Sequence, residues 1–445
     1  SVRGVLIRDW PELPLRLAYV AGADSLNERT RTLVDMLAES RINGIVSESG
    51  AWYSLPEGRQ AAQTLADYCR ARFIEFIPEL QSFGWGHCVL AIDPNTAEGV
   101  TVEDEPLVIP EQEIAWLAHN NVIVTEAAPI VVRSPAGGVT YQQGKDYEVV
   151  AGTTAGFRAD SPPWGLRRLP GGSITAGQEV RVTYTYGPPD SITYCPEEPR
   201  TQEIMRRAIA NTMDVLRPTF LHIGHDEPRV VNSDARCRSL GLSNAEIVAR
   251  DISRLHGYVC EGPVRARLMM WDDALNPYHN APGHQLETVA QVIPKDIVQC
   301  VWFYGTTSRE VESQSLKLFT DLGFEVTGSP WADRHYLGNS YDWAQVLAQA
   351  RREGNWRVLG IFYTSWSEEW QGLHVAAAYG WNPDAPVLEA FYALDRRLYE
   401  FGLDPWAAPD IDHLARDMAH EAAEAGGAAA LADGLGALLQ SAKEE

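Results

Sequence analysis

Eight short, nearly continuous apolar runs recur along the chain, at 15–20, 44–49, 73–80, 219–227, 267–273, 297–303, 324–331 and 358–366. Runs of this kind suit strands buried on both faces, because a strand with one wet face would alternate apolar and polar residues. Between most of them the apolar residues recur every three or four positions, as at 26–41, 60–71, 201–216, 245–260 and 341–352, which is the spacing of one helix face. Buried strands alternating with amphipathic helices imply a parallel sheet covered by helices, and eight such units imply an α/β fold of the (β/α)8, or TIM, barrel kind.

The rhythm breaks between about 97 and 192. Here Gly and Pro punctuate the chain (Pro135-Ala-Gly-Gly138, Pro162-Pro163, Pro170-Gly-Gly172, Pro188-Pro189), and short β-branched runs stand at 121–125, 147–150 and 179–186. This predicts a β-rich domain at 97–192 inserted after strand three of a discontinuous barrel, 1–96 and 193–405. After Pro405 an Ala-rich stretch, 406–445, predicts a helical C-terminal segment.

In such a barrel the chemistry sits at the carboxyl ends of the strands. There the chain places Ser47-Glu48, Glu79-Leu80-Gln81, Asp226-Glu227, Asp272-Asp273 and Ser367-Glu368, together with Trp271, Trp302, Trp331 and Trp366. Acids ringed by indoles suit a sugar, which presents hydroxyl edges and apolar C–H faces. The adjacent acids Asp226-Glu227 are the strongest single signal, since like charges held close push at least one pKa upward and leave a carboxyl able to act as a general acid.

Composition narrows the partners. The 445 residues are 45% hydrophobic, and no run approaches the ~18 apolar residues of a membrane span. Sixty acidic residues against 37 basic ones give a net charge of -23, the wrong sign for nucleic acid or an anionic membrane. The six cysteines (Cys69, Cys88, Cys195, Cys237, Cys260, Cys300) are scattered, with no Cys-x-x-Cys, so neither a zinc module nor a disulfide framework is indicated and the compartment stays open. His222 and His225 three apart on an extended strand face opposite ways and do not make a shared metal site. No cofactor, metal or oligomeric state is called for.

In order along the chain, several motifs resemble glycoside hydrolase family 20, the β-N-acetylhexosaminidases. The lead into the first strand, Val5-Leu-Ile-Arg-Asp-Trp-Pro-Glu-Leu-Pro-Leu-Arg16, is similar to that family's. So are Phe76-Ile-Pro-Glu-Leu-Gln-Ser-Phe-Gly84 with Gly86-His87, and Tyr194-Cys-Pro-Glu-Glu-Pro199. His222-Ile-Gly-His-Asp-Glu227 matches the signature, with His225 where a second glycine is usual. Met270-Trp-Asp-Asp273, Ser329-Pro-Trp331 and Ser365-Trp-Ser-Glu368 fall where the family places its later tryptophans and acids.

The resemblance implies a retaining mechanism in which the substrate's own 2-acetamido oxygen attacks the anomeric carbon and forms an oxazolinium, with no enzyme nucleophile. It makes Glu227 the acid and later the base, and Asp226 the group that orients the acetamido nitrogen. It makes Trp271, Trp331 and Trp366 the walls of the pocket, Asp272 and Glu368 hydroxyl acceptors, and His222 and His87 supporting residues. Glu79, His225, Trp302, Tyr304 and Tyr336 complete the candidate substrate-binding set, and the expected partner is a glycan containing N-acetylhexosamine.

The chain departs from the family's pattern in three places. No Asp-x-x-Arg element follows strand one, Ser47-Glu-Ser-Gly50 replaces the second-strand His-x-x-Asp, and Ala332 follows Trp331 where a Tyr is common, leaving Tyr336 or Tyr304 to substitute. Two rivals remain open. One is a conventional glycosidase with Glu227 as acid and Asp272, Asp273 or Glu368 as nucleophile or base. The other is a non-catalytic carbohydrate-binding or assembly protein on the same barrel.

Overall fold

The structure is a computed structural model that describes residues 10–152, 154–305, 309–331, 338–366, 370 and 372–384. Its centre is a closed barrel of eight parallel strands: β1 (Leu15–Tyr19), β2 (Gly44–Glu48), β3 (Glu75–Ser82), β4 (Phe220–Gly224), β5 (Arg267–Trp271), β6 (Val298–Trp302), β7 (Val326–Ser329) and β8 (Val358–Tyr363). The ring closes where β8 pairs with β1, Gly360 opposite Leu15. Each strand lies within its predicted run or within two residues of it. The runs at 219–227, 267–273, 297–303, 324–331 and 358–366 extend beyond the strands at their carboxyl ends, because the residues there turn off into the loops of the barrel mouth.

Helices α1 (Glu28–Glu39), α2 (Arg59–Arg70), α3 (Pro199–Leu216), α4 (Asn244–Glu261) and α6 (Gly338–Arg352) correspond to the five periodic segments. Their starts are capped as their sequences suggest. Asn27 and Thr30 exchange hydrogen bonds across the first turn of α1, Ser243 and Glu246 do so at α4, and Pro199 opens α3 with Glu198 accepting from the Arg200 N–H. Two more long helices, α5 (Arg309–Asp321) and α7 (Leu373–Trp381), follow β6 and β8, while only short helices, Ala281–His284 and Val289–Val292, stand between β5 and β6. Among the described residues no helix is long and apolar enough to cross a membrane.

Two apolar layers hold the barrel. Inside it, Leu17, Val46, Ile77, Met269, Val298 and Phe362 interdigitate, as alternate strands do in this fold. Between strands and helices a second, larger layer includes Leu37, Leu65, Ile209, Ile252, Phe319 and Leu347, each at 1% exposure or less.

Between β3 and α3 the chain forms two antiparallel sheets. Val100–Ile109 and Gln178–Tyr186 pair along their length and carry Val131–Arg133, Thr140–Tyr141 and Val122–Ile123 beside them. A smaller sheet joins Ala115–Trp116, Gly165–Arg168 and Tyr147–Val150. This segment packs a core of its own, including Ile109, Val132, Leu166, Val180 and Val182. The Val100–Ile109 strand escapes sequence reading because Glu103, Asp104 and Glu105 interrupt its apolar pattern. The chain leaves and re-enters at a narrow neck, where Ala97 bridges to Tyr194 and the Glu98 N–H donates to the Thr193 carbonyl at 2.9 Å. The predicted helical segment 406–445 lies outside the described residues.

Candidate active site

Just past β4 the backbone takes three left-handed steps, at Gly224 (φ +61°), His225 (φ +72°) and Glu227 (φ +45°). A strand cannot continue through such residues, so the chain turns sharply and brings Asp226 and Glu227 to the mouth of the barrel. For His225 and Glu227 this conformation costs about 1–3 kcal/mol each. The surroundings hold the turn in place: Ser82 Oγ donates to the Ile223 carbonyl at 2.6 Å, and the Glu227 N–H donates to Asp273 Oδ2 at 3.0 Å. Gly84 lies so close beneath that a Cβ there would stand 1.6 Å from the Asp226 carbonyl oxygen, and a Cβ on Gly224 would stand 1.8 Å from Gln81 Oε1. Gly84, against backbone, therefore requires glycine, whereas at Gly224 the Gln81 amide end can move and it is the left-handed backbone that favours glycine.

The turn opens into a cavity of about 400 Å³. Three carboxylates face it, Glu48, Asp226 and Glu227, and five indoles wall it, Trp85, Trp271, Trp302, Trp331 and Trp366, with Tyr304 and Gln81 between them. The aromatic wall is cross-braced. Trp302 stacks on Tyr304 with centroids 4.7 Å apart, Trp331 meets Tyr304 edge-on at 5.3 Å, and Trp366 Nε1 donates to the Tyr304 hydroxyl at 2.9 Å.

The acids differ in environment. Burial pushes the Asp226 carboxyl well above the ordinary range, and the nearby Asp273 and Glu79 push it further; its Oδ1 has no protein hydrogen-bond partner among the described residues. Glu227 Oε2 accepts from Trp85 Nε1 at 3.2 Å. Glu48 is held below the ordinary range: burial opposes ionisation, but His87, 3.2 Å away, and the Tyr19 hydroxyl outweigh it. His87 in turn is pushed up to about 10 by its hydrogen bonds to Cys88 and Glu48.

The site brings together seven of the predicted residues, Asp226, Glu227, Trp271, Trp302, Tyr304, Trp331 and Trp366. Others stand behind them. Glu79 and His222 are fully buried under Trp271: His222 Nδ1 is 3.0 Å from Glu79 Oε1, which also accepts from Trp271 Nε1 at 3.2 Å. His87 lies beside the cavity and acts on Glu48. Two expectations are corrected. His225 does not line the cavity, because its left-handed backbone turns the ring into the core, stacked on Phe83 and 3.3 Å from Asp251. Asp272 is fully buried and takes the Trp302 N–H and the Asn276 amide, so it does not open toward a ligand. Tyr336 and Glu368 lie outside the described residues.

Residues 166–379 match the model of the glycosyl hydrolase family 20 catalytic domain, a span that contains β4 to β8 and the acid turn. Over that span, just under half of its length, the chain is similar to a family 20 catalytic domain. No curated relative matches it in sequence. Among solved structures it is similar to an inactive mutant of the exo-β-N-acetylglucosaminidase from Vibrio harveyi (14% identity, TM-score 0.50, 91% of this chain and 58% of that one). The same enzyme with N-acetylglucosamine bound gives 14% identity and a TM-score of 0.49, over 83% and 55% of the two chains. The β-N-acetylhexosaminidase from Bacteroides fragilis gives 11% and 0.47, over 84% and 67%. The chain thus spans little more than half the length of the Vibrio enzyme, and at 14% identity the likeness to its inactive mutant speaks to the fold alone.

The matched span leaves out β1, β2 and β3, and from those strands and the loop after β3 come Glu48, Gln81 and Trp85. Sequence reasoning missed these three as site residues. Glu48 and Gln81 stood at strand ends and were legible as polar positions, whereas nothing in the sequence marks Trp85 beyond its place between two glycines.

Proposed function

We propose that the chain hydrolyses terminal 2-acetamido-2-deoxyhexosides with retention, through an oxazolinium formed by the substrate's own acetamido oxygen. The observation that carries this reading is the unmet hydrogen-bond capacity of Asp226: the residue lines the cavity, and its buried Oδ1, without a partner among the described residues, is the acceptor that a substrate amide N–H would satisfy. Asp226 would then orient the acetamido group for attack, and the positive charge developing on the oxazolinium would draw its carboxyl back toward the ionised form. Glu227, on the same turn, protonates the leaving oxygen and afterwards takes a proton from the attacking water. The indoles supply flat faces for the sugar ring and limit water access.

The conventional two-carboxylate reading loses support from Asp273, whose oxygens are taken by the Glu227 N–H, the Asn280 amide and Trp302 Nε1. One observation favours a variant of it: Glu48 faces the same cavity and is held ionised. Aryl glycosides with and without the 2-acetamido group, in gluco and galacto forms, separate the two. Turnover confined to the acetamido compounds, with strong inhibition by a thiazoline mimic of the oxazolinium, is expected. Comparable turnover of the plain glycosides would transfer the nucleophile or base role to Glu48.

A further inference from the structure

A second cluster of chemically able side chains lies away from the cavity, at the neck of the inserted segment. Glu98 leaves the barrel on one side of the neck, Cys195 returns on the other, and in the connection that follows the acid turn Asp234 caps the one-turn helix Ala235–Arg238, which carries Cys237. All four are buried, and one ligand atom from each falls within 4.8 Å of every other. The two sulfurs are 3.5 Å apart, and Cys237 Sγ is 3.3 Å from Glu98 Oε2. On one tetrahedral zinc two thiolates stand roughly 3.8 Å apart, given Zn–S bonds of ~2.3 Å, so the sulfurs are nearly at that spacing.

The groups are also oriented from outside the cluster. Glu98 Oε1 accepts the Ser233 and Asp234 N–H groups at 2.7 and 3.3 Å, which leaves Oε2 pointing at the thiols. Asp234 accepts the Arg236 and Gly99 N–H groups at 2.8 and 3.1 Å and pairs with the Arg236 guanidinium, which a further carboxylate, Glu198, holds at 3.0 Å. Metal ligands are typically fixed in this way by partners behind them.

We propose that Glu98, Cys195 and Cys237, with Asp234 as the fourth ligand, bind one thiophilic dication of the zinc type. Two thiolates with carboxylates favour zinc over magnesium or calcium, which take oxygen alone. On binding, the two S–H bonds give up their protons to solvent and two S–metal bonds replace them. The ion would tie both strands of the neck to the loop that follows Asp226-Glu227, and so fix the inserted segment against the catalytic turn.

The test is elemental analysis of the purified chain after incubation with zinc and removal of the excess. About one equivalent should stay bound, replacement by cobalt should give thiolate-to-cobalt charge-transfer absorption, and a strong chelator should lower the melting temperature. Cys195→Ser/Cys237→Ser should lose the zinc; should that variant fail to fold, Glu98→Gln, which keeps both thiols, should weaken zinc binding at least about tenfold. Failure to retain zinc would overturn the proposal. So would zinc content unchanged in the folded double variant, or an intact mass lower by two hydrogens with Cys195 and Cys237 joined in one disulfide.

Discussion

The two halves of the barrel mouth differ. From β4 onward lie the acid turn, its buried neighbours Asp272 and Asp273, and four of the five cavity indoles, all within the span that matches the family. From β1 to β3 and the loop after them come Glu48, Gln81 and Trp85, none within that span. On the proposed reading the first group carries the bond-breaking chemistry, and the second meets the sugar hydroxyls while Ser82, Gly84 and Trp85 support the acid turn. Two proposed tasks, recognition and catalysis, are thus separated around one cavity, and each expectation below tests that separation.

The largest effect belongs to Glu227→Gln, which should lower kcat on an aryl acetamido substrate by ~10²–10⁴ with KM nearly unchanged. A variant keeping a large share of its turnover would remove Glu227 from the chemistry. Asp226→Asn should cost roughly 10²–10³ in kcat, the scale of losing one preorganised electrostatic partner. Because Asp226 is the proposed partner of the acetamido group, inhibition by the thiazoline should weaken in Asp226→Asn.

Gly84→Ala crosses the two halves: its Cβ would collide with the Asp226 carbonyl, so the turn must shift or the fold must yield. A loss of about 3 kcal/mol or more in urea unfolding is expected, and a stable, fully active variant would show that the turn is not held from below. Glu48→Gln should raise KM about tenfold, the worth of a hydrogen bond to a charged group, with little change in kcat. A collapse of kcat as deep as that of Glu227→Gln would break the division between halves.

The smallest effect is a pH dependence. His87 has its folded pKa raised to about 10, so its pairing with Cys88 and Glu48 contributes stability that is complete below the unfolded value of ~6.5 and is lost as pH rises through the folded one. The unmutated chain should therefore lose slightly more stability than Glu48→Gln between pH ~6.5 and ~10, and identical slopes would show that Glu48 contributes nothing to the shift.

The barrel was legible in the sequence because its signal is local: an apolar run of strand length and a helix with a 3.6-residue period each declare themselves within a dozen residues. The acid pair was legible for the same reason, as adjacent residues at a strand's end. Val100–Ile109 was not, since Glu103 and Asp104 face solvent, Glu105 is half-buried against the Tyr184 hydroxyl, and the three together break the pattern on which strand recognition relies. Asp272 and His225 show the remaining limit. Both stand beside recognised site residues, but one side chain is consumed by the Trp302 N–H and Asn276, and the other is turned into the core by a left-handed backbone.

By itself, then, the sequence determined the alternation of strands and helices and the identity of the two acids, because both are properties of neighbouring residues. Only the tertiary structure decided that Glu48, Gln81 and Trp85 share a cavity with them, and that Glu98, Cys195, Asp234 and Cys237 meet at the neck. Those groups are brought together by barrel closure and by the return of a segment of nearly a hundred residues, so their meeting depends on long-range packing that no local pattern records.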